Sequence, residues 1–281
     1  MRLLIYSNLY IAVAAMLLAQ ASYWLMDVDP RWDALSVLVF SATLLVYNLD
    51  RLVSSSTEDQ VDGTERHRWI HERSRMLWGF AAVGGLGTAS SLFFVDVALW
   101  KALIPLGVLS LAYSLPVLVG GGSRKRLKEL PGLKIFVIAT VWAAVTVVLP
   151  ALNAGQSVLS ADVLMLIAER FVYIFAITLP FDVRDVRRDQ SSGITTIPMV
   201  LGVKRTRTLS LVSMAAFAGI CLVHYGLAPG ASGLAMVGFA VLTAFLLGWS
   251  SPERKELYYV GLLDGTMFLY VAAAALPSLM G

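Results

Sequence analysis

Apolar residues in this sequence come in runs of about twenty, and a helical run of that length covers the roughly 30 Å hydrocarbon core of a bilayer. Of the 281 residues, 58% are hydrophobic and only 15% are charged, so the bilayer is the main solvent of the chain. Nine spans are expected, at roughly 3–26, 34–50, 76–95, 97–119, 132–150, 161–181, 207–226, 231–249 and 257–279. Strands of an outer-membrane barrel would run to about ten residues of alternating polarity. These runs are twice as long and do not alternate. The fold class is therefore all-α, a polytopic membrane bundle of about nine transmembrane helices. It forms one integral membrane domain over 1–281, with two halves of four to five helices at roughly 1–130 and 131–281.

Lysine and arginine orient the chain, because the positive-inside bias is carried by short loops. Arg51, Arg66, Arg68, Arg73 and Arg75 follow the second span, and Arg124, Lys125, Arg126, Lys128 and Lys134 follow the fourth. Arg184, Arg187, Arg188, Lys204, Arg205 and Arg207 follow the sixth, and Arg254 and Lys255 the eighth. The opposite side offers only Arg31 and Lys101. This places the N-terminus in the cytoplasm and the C-terminus outside, in a multi-pass protein of the bacterial inner membrane. The net charge of +3 is spent on topology and calls for no nucleic-acid partner. Arg2, an apolar run and Ala19-Gln-Ala21 also fit a cleaved signal peptide, but the run continues to Met26, longer than a signal core. The single cysteine, Cys221, forms no intrachain disulfide.

The long polar connections, 51–75, 120–131 and 182–206, all fall on the cytoplasmic side, where chemistry is expected. The last opens Asp182-Val-Arg-Asp185-Val-Arg-Arg-Asp189. At about 100° per residue the three aspartates fall within roughly 60° of one another on a helix, and Arg184, Arg187 and Arg188 cluster on the far side. Carboxylates packed this densely suit Mg²⁺, which completes its shell with water and substrate phosphates. A solvated helix end salt-bridged to its own arginines is the alternative. The second span ends Tyr47-Asn48-Leu-Asp50-Arg51, a weak echo of Phe181-Asp182-Val-Arg-Asp185. Two such polar helix ends are expected to face one another across a cavity.

The segment Asp185-x-x-x-Asp189-x-x-x-Gly193-x-x-Thr196-x-Pro198, with Leu201-Gly202-Val203-Lys204, resembles the second aspartate-rich motif of the UbiA-type intramembrane prenyltransferases. Tyr113-Ser-Leu-Pro116 leading to Arg124-Lys125-Arg126 is similar to that family's tyrosine-then-basic loop. The resemblance implies a helical bundle around a central cavity, in which Mg²⁺ holds an isoprenyl diphosphate and the prenyl group passes to a hydrophobic acceptor, aromatic or lipid. It assigns Asp182, Asp185 and Asp189 to metal and catalysis, and Asn48, Asp50, Arg51, Tyr113, Arg124, Lys125 and Arg126 to the substrate. The family's first motif, Asn-Asp-x-x-Asp-x-x-x-Asp, is incomplete here. With Asn48 as its asparagine the later acidic positions fall on Leu52 and Ser56, and with Asp50-Arg51 as its central pair the last falls on Ser54.

Charges within the spans are a separate signal. Glu169-Arg170 and Asp264 lie at depths where an ionisable group is costly unless paired or facing a cavity. Arg170 is expected to pair with Asp264 or Glu169, or to line the substrate cavity. His67 and His71 have a spacing that can bind zinc on a helix, but no third ligand accompanies them. With Trp69 they read as an interfacial helix, and Glu58, Asp59 and Asp62 in the same loop as solvated acids. Three functions follow: Mg²⁺-dependent prenyl transfer; a degenerate relative that binds or presents an isoprenoid lipid; and a small-solute transporter, for which the rim position of the acids is the wrong place.

Overall fold

The computed structural model describes residues 2–58, 69, 72–115, 118–120, 123–127, 130, 132–191, 195–226 and 232–280. Among the described residues six helices are long and apolar enough to cross a membrane, covering Ala34–Val53, Val97–Ser114, Leu133–Asn153, Ala161–Arg187, Val203–Tyr225 and Tyr258–Pro277. Two shorter apolar helices, Leu9–Leu25 and Ser232–Gly248, fall at expected spans. The remaining expected span is the helix Ser74–Leu92, in which Arg75 and a run of glycine, serine and threonine dilute the apolar residues. The protein is an all-helical membrane bundle, with one small hairpin of strands β1 (Leu118–Gly120) and β2 (Ser123–Lys125) where the fourth span was expected to continue.

Contacts gather the chain into two compact units, one of Met1–Met16 with Arg31–Leu127 and one of Leu17–Pro30 with Lys128–Gly281. In the first unit, helix α1 (Arg2–Tyr6) is followed by α2 (Leu9–Leu25), with Asn8 between them at φ 63°. The single span expected over 3–26 is therefore broken. The break is held by α3 (Ala34–Glu58): Asn48 Nδ2 donates to Ser7 O at 3.0 Å, Asn8 Nδ2 donates to Asn48 Oδ1 at 3.1 Å, and Arg51 donates to Tyr6 O. Small residues bring α3 against α4 (Ser74–Leu92), since a Cβ on Gly84 would lie 2.8 Å from both Leu45 N and Ser41 O. Such small-residue seams let membrane helices approach backbone to backbone. Trp69 packs on Leu52 and Leu77 and sets its ring edge-on to Tyr6 at 5.3 Å. α5 (Val97–Ser114) completes the helices of this unit.

The second unit takes α2 from Leu17 onward and continues with α6 (Leu133–Ala143), a π-helical turn Ala144–Val148, and α7 (Leu149–Asn153). Then come the long α8 (Ala161–Ser191), the short α9 (Ile197–Leu201), α10 (Val203–Tyr225) and α11 (Ser232–Gly248). A second π-helical stretch, Tyr258–Leu263, leads into α12 (Thr266–Met280). Tyr173, Phe217, Phe239 and Tyr270, one from each of α8, α10, α11 and α12, are all buried and meet with ring centroids 5.2 to 6.1 Å apart. Edge-to-face and offset contacts of this kind add directional preference to apolar burial. They fix α8 rotationally, and α8 carries the charged residues that matter below.

Candidate functional site

α8 runs ten residues beyond its expected end at 181, so Asp182, Asp185 and Asp189 all sit on the helix itself. Asp182 is 2% exposed, and its Oδ1 accepts from Lys134 Nζ at 2.7 Å. Lys134 is the second residue of α6, positioned by Gly132 at φ 69°, a left-handed conformation that favours glycine. The Gly132 N–H donates to Thr195 O at 3.4 Å, which ties the start of α6 to the segment after the acidic motif. Thr196 is extended and Pro198 sits in the first turn of α9, where its missing N–H costs nothing. Gly132, Lys134, Asp182, Thr195, Thr196 and Ile197 line a small pocket of about 10 Å³, room for about one water. Inside this wall Thr196 is 4% exposed and its Oγ1 has no hydrogen-bond partner.

Asp185 is clamped by its neighbour. Arg184 Nε and Nη2 donate to Asp185 Oδ1 and Oδ2, both at 2.8 Å, and the guanidinium lies 5.2 Å from the Phe181 ring and 5.4 Å from the Tyr259 ring. A planar, forked cation can both grip a carboxylate and stack on aromatics. The helical wheel placed Arg184 on the far side, but its length and the two rings bring it back along the helix. Arg187 is exposed and feels Glu253, whose carboxyl is held below its ordinary range chiefly by a hydrogen bond from the Ser251 side chain. Asp189 is buried at 6% exposure. As placed, the three aspartates do not form a three-ligand metal group, and no such group of His, Cys, Asp and Glu occurs among the described residues. Two of the three carboxylates are drawn instead to Lys134 and Arg184. Mg²⁺ commonly uses one or two carboxylates and takes its other ligands from phosphate and water. The Asp185–Asp189 pair, one helical turn apart, is a donor set of that kind.

The remaining expected substrate residues belong to the first unit. Asn48 is fully buried with its amide engaged to Ser7, Leu44 and Asn8, as a helix joint requires. Asp50, Arg51 and Tyr113 are half-buried and Arg126 is buried. Arg124 and Lys125 lie in β2, and their side chains, like Gly193, His67, His71, Asp59 and Asp62, fall outside the described residues. Lys134 escaped the sequence reading as a site residue, having been counted only as a topology charge. The signal was its place inside the expected span 132–150, where an ammonium needs a partner.

Arg170 is fully buried, and its expected partners are not its partners. Nη1 donates to Leu18 O at 3.2 Å and to Thr146 Oγ1 at 2.7 Å, and Nη2 to Ser22 Oγ at 3.2 Å. Its guanidinium lies 4.4 Å from the centroid of the Tyr270 ring. No ion pair of Arg170 with Asp264 or Glu169 forms. The reason is local: the π-helical turn at Ala144–Val148 presents Thr146 to Arg170, while Glu169, one residue earlier, points to α10 and α12.

The description "UbiA prenyltransferase family" belongs to the family model that matches residues 68–272 of the chain. No curated protein matches by sequence. Among solved structures, a UbiA homologue from Archaeoglobus fulgidus bound to GPP and Mg²⁺ superposes with a TM-score of 0.69 at 11% identity, covering 99% of this chain and 100% of that one. The same homologue bound to DMAPP and Mg²⁺ gives 0.67 at 12% identity, with 99% of each chain covered. An apo UbiA homologue from Aeropyrum pernix K1 gives 0.55 at 17% identity, covering 98% of this chain and 95% of that one.

Proposed function

We propose, on the premise that this chain belongs to the UbiA prenyltransferase family, that it transfers a prenyl group from an isoprenyl diphosphate to a hydrophobic acceptor, aromatic or lipid, with Mg²⁺ at the Asp185–Asp189 end of α8. The observation that carries the reading is the pair of carboxylates Asp185 and Asp189, one turn apart at the end of a membrane helix, on the same helix as Asp182, which lines a small pocket with Lys134. Structures of relatives bound to GPP or DMAPP with Mg²⁺ support the substrate class.

Asp185 and Asp189 hold the metal in this reading, each Asp185 oxygen keeping a lone pair beyond the one given to Arg184. When bound, Mg²⁺ neutralises negative charge on the diphosphate leaving group. Lys134 and Arg184 add fixed positive charge beside it, favouring departure of the electron pair with the diphosphate when the allylic C–O bond breaks. The acceptor then forms the new bond to that carbon and gives up a proton. Apolar walls exclude the water that would otherwise capture the carbocation. The acidic end faces the cytoplasm, as the lysine and arginine pattern indicates.

A second reading is favoured by the incomplete first motif, where Leu52 and Ser56, or Ser54, stand at acidic positions: the chain binds an isoprenoid diphosphate without transferring it. Incubating the purified protein in lipid with Mg²⁺, labelled prenyl diphosphates and a panel of acceptors, and scoring binding and product separately, decides between the two. Product supports transfer, whereas binding without product for every acceptor supports the second reading. Asp50→Asn and Arg51→Met in the same assay test whether the end of α3 takes part.

A further inference from the structure

At the other end of α8, about 30 Å from the acidic motif at 1.5 Å per residue, a separate set of titratable groups runs from the surface inward. Asp162 lies in the first turn with its side chain 83% exposed, and Glu169, two turns further on, is fully buried. Between them stands His224 of α10, with Nε2 3.9 Å from Asp162 Oδ1 and Nδ1 3.8 Å from Glu169 Oε2. Its side chain is only 6% exposed, and Nδ1 has no hydrogen-bond partner. An imidazole nitrogen aimed at a buried carboxylate from just beyond hydrogen-bond distance is poised to exchange a proton with it.

The surroundings of Glu169 suit that exchange. Tyr225 Oη donates to Oε1 at 2.6 Å, Tyr270 Oη to Oε1 at 3.3 Å, and Cys221 Sγ to Oε2 at 3.2 Å. His224 stacks on Tyr225 with ring centroids 4.1 Å apart. Arg170 directs Nη1 and Nη2 to Leu18, Ser22 and Thr146, so His224 is the one basic side chain recorded within ion-pair distance of Glu169 among the described residues. Of the elements packed on this end of α10, α8 brings Asp162, Glu169 and Arg170, α12 brings Tyr270, and α11 has no titratable residue.

We infer that Asp162, His224 and Glu169 form a proton-loading site, entered at the end of α8 opposite the acidic motif. A proton arriving at Asp162 is taken up by Nε2 of His224, and the loaded site holds that one added proton between the imidazole and Glu169, the Nδ1 proton passing to Oε2 and back as the imidazolium and the carboxylic acid exchange. Histidine is the side chain suited to this work near neutral pH, and chains of Asp, Glu and His within membrane helices are the usual route for protons.

The chain has three histidines, so ¹⁵N-histidine labelling in a His67→Gln, His71→Gln background isolates His224. Its ¹⁵N signals, read in lipid nanodiscs between pH 5 and 8 alongside the infrared carboxylic-acid band, test the assignment. The site predicts that His224 changes protonation state within that range and that the infrared band disappears in Glu169→Gln. It also predicts that Asp162→Asn and Glu169→Gln each shift the His224 transition. A His224 that keeps one protonation state throughout, or whose transition is indifferent to either acid, overturns the inference. The first of these outcomes is read without substituting any member of the site.

Discussion

α8 carries two charged clusters about 20 Å apart by helical rise, and they solve the same electrostatic problem in opposite ways. At the Asp182–Asp189 end the cations Lys134 and Arg184 each meet a carboxylate, Lys134 with Asp182 and Arg184 with Asp185, and the first pair lines a small pocket. At Glu169–Arg170 adjacent opposite charges turn to different partners, Arg170 Nη1 and Nη2 to Leu18 O, Thr146 and Ser22, and Glu169 to Tyr225, Tyr270 and Cys221. Tyr270 joins them, its hydroxyl donating to Glu169 and its ring facing Arg170. Paired charges at the rim can be exchanged for a ligand's charges. Arg170, woven into hydroxyls and a carbonyl in the interior, cannot be removed without leaving those groups unsatisfied. The proposed binding function thus lies at one end of α8, and Arg170 serves as scaffold in its middle.

The largest expected effect is on the binding end. Asp185→Asn with Asp189→Asn removes both anionic ligands proposed for the metal and should lower prenyl transfer at least ~100-fold, about 2.7 kcal/mol of transition-state stabilisation, with thermal stability kept. Lost stability with transfer intact would invert the comparison. Next, Arg170→Met strips donors from Leu18 O, Thr146 and Ser22 and should cost about 2 to 4 kcal/mol of stability in detergent. Asp264→Leu should give no rescue in the double variant, because the two do not pair; recovery would restore the ion pair that the structure lacks.

Lys134→Met should cost about 1 to 2 kcal/mol, discounted because Lys134 is partly exposed, and Asp182→Asn should recover part of that loss. Strict additivity would dissolve the rim pair. The smallest effect is expected for Tyr270→Phe, which keeps the ring under Arg170 and removes the hydroxyl from Glu169, at about 1 kcal/mol. A change as large as that of Arg170→Met would mean that the hydroxyl, and not the ring, holds the middle of α8.

The bundle was legible because a span announces itself by length and apolarity, and the positions of Asp185 and Asp189 because helical periodicity continues past the membrane. Partner choice was not legible. Span counting brought Arg170 and Asp264 to similar depth, but depth leaves rotation about each helix open, and here the aromatic contacts of Tyr173, Phe217, Phe239 and Tyr270 set it. The π-helical turn that presents Thr146 to Arg170 breaks the 3.6-residue period on which sequence reasoning rests. The break at Asn8 was hidden for a related reason: the residue that stabilises it, Asn48, lies forty positions away. Arg184 was misplaced because a wheel projects Cα positions, whereas a long side chain can turn back to its neighbour.

Diphosphate binding through metal at the end of α8 is the central claim. Titrating the protein in nanodiscs with a labelled prenyl diphosphate, in Mg²⁺ and in EDTA, measures this for the wild type, Asp189→Asn and Arg170→Met. Binding should require Mg²⁺, weaken ~tenfold or more in Asp189→Asn, a loss of about 1.4 kcal/mol, and persist in the folded fraction of Arg170→Met. Affinity that is equal in Mg²⁺ and EDTA, and unchanged in a folded Asp189→Asn, would contradict the account.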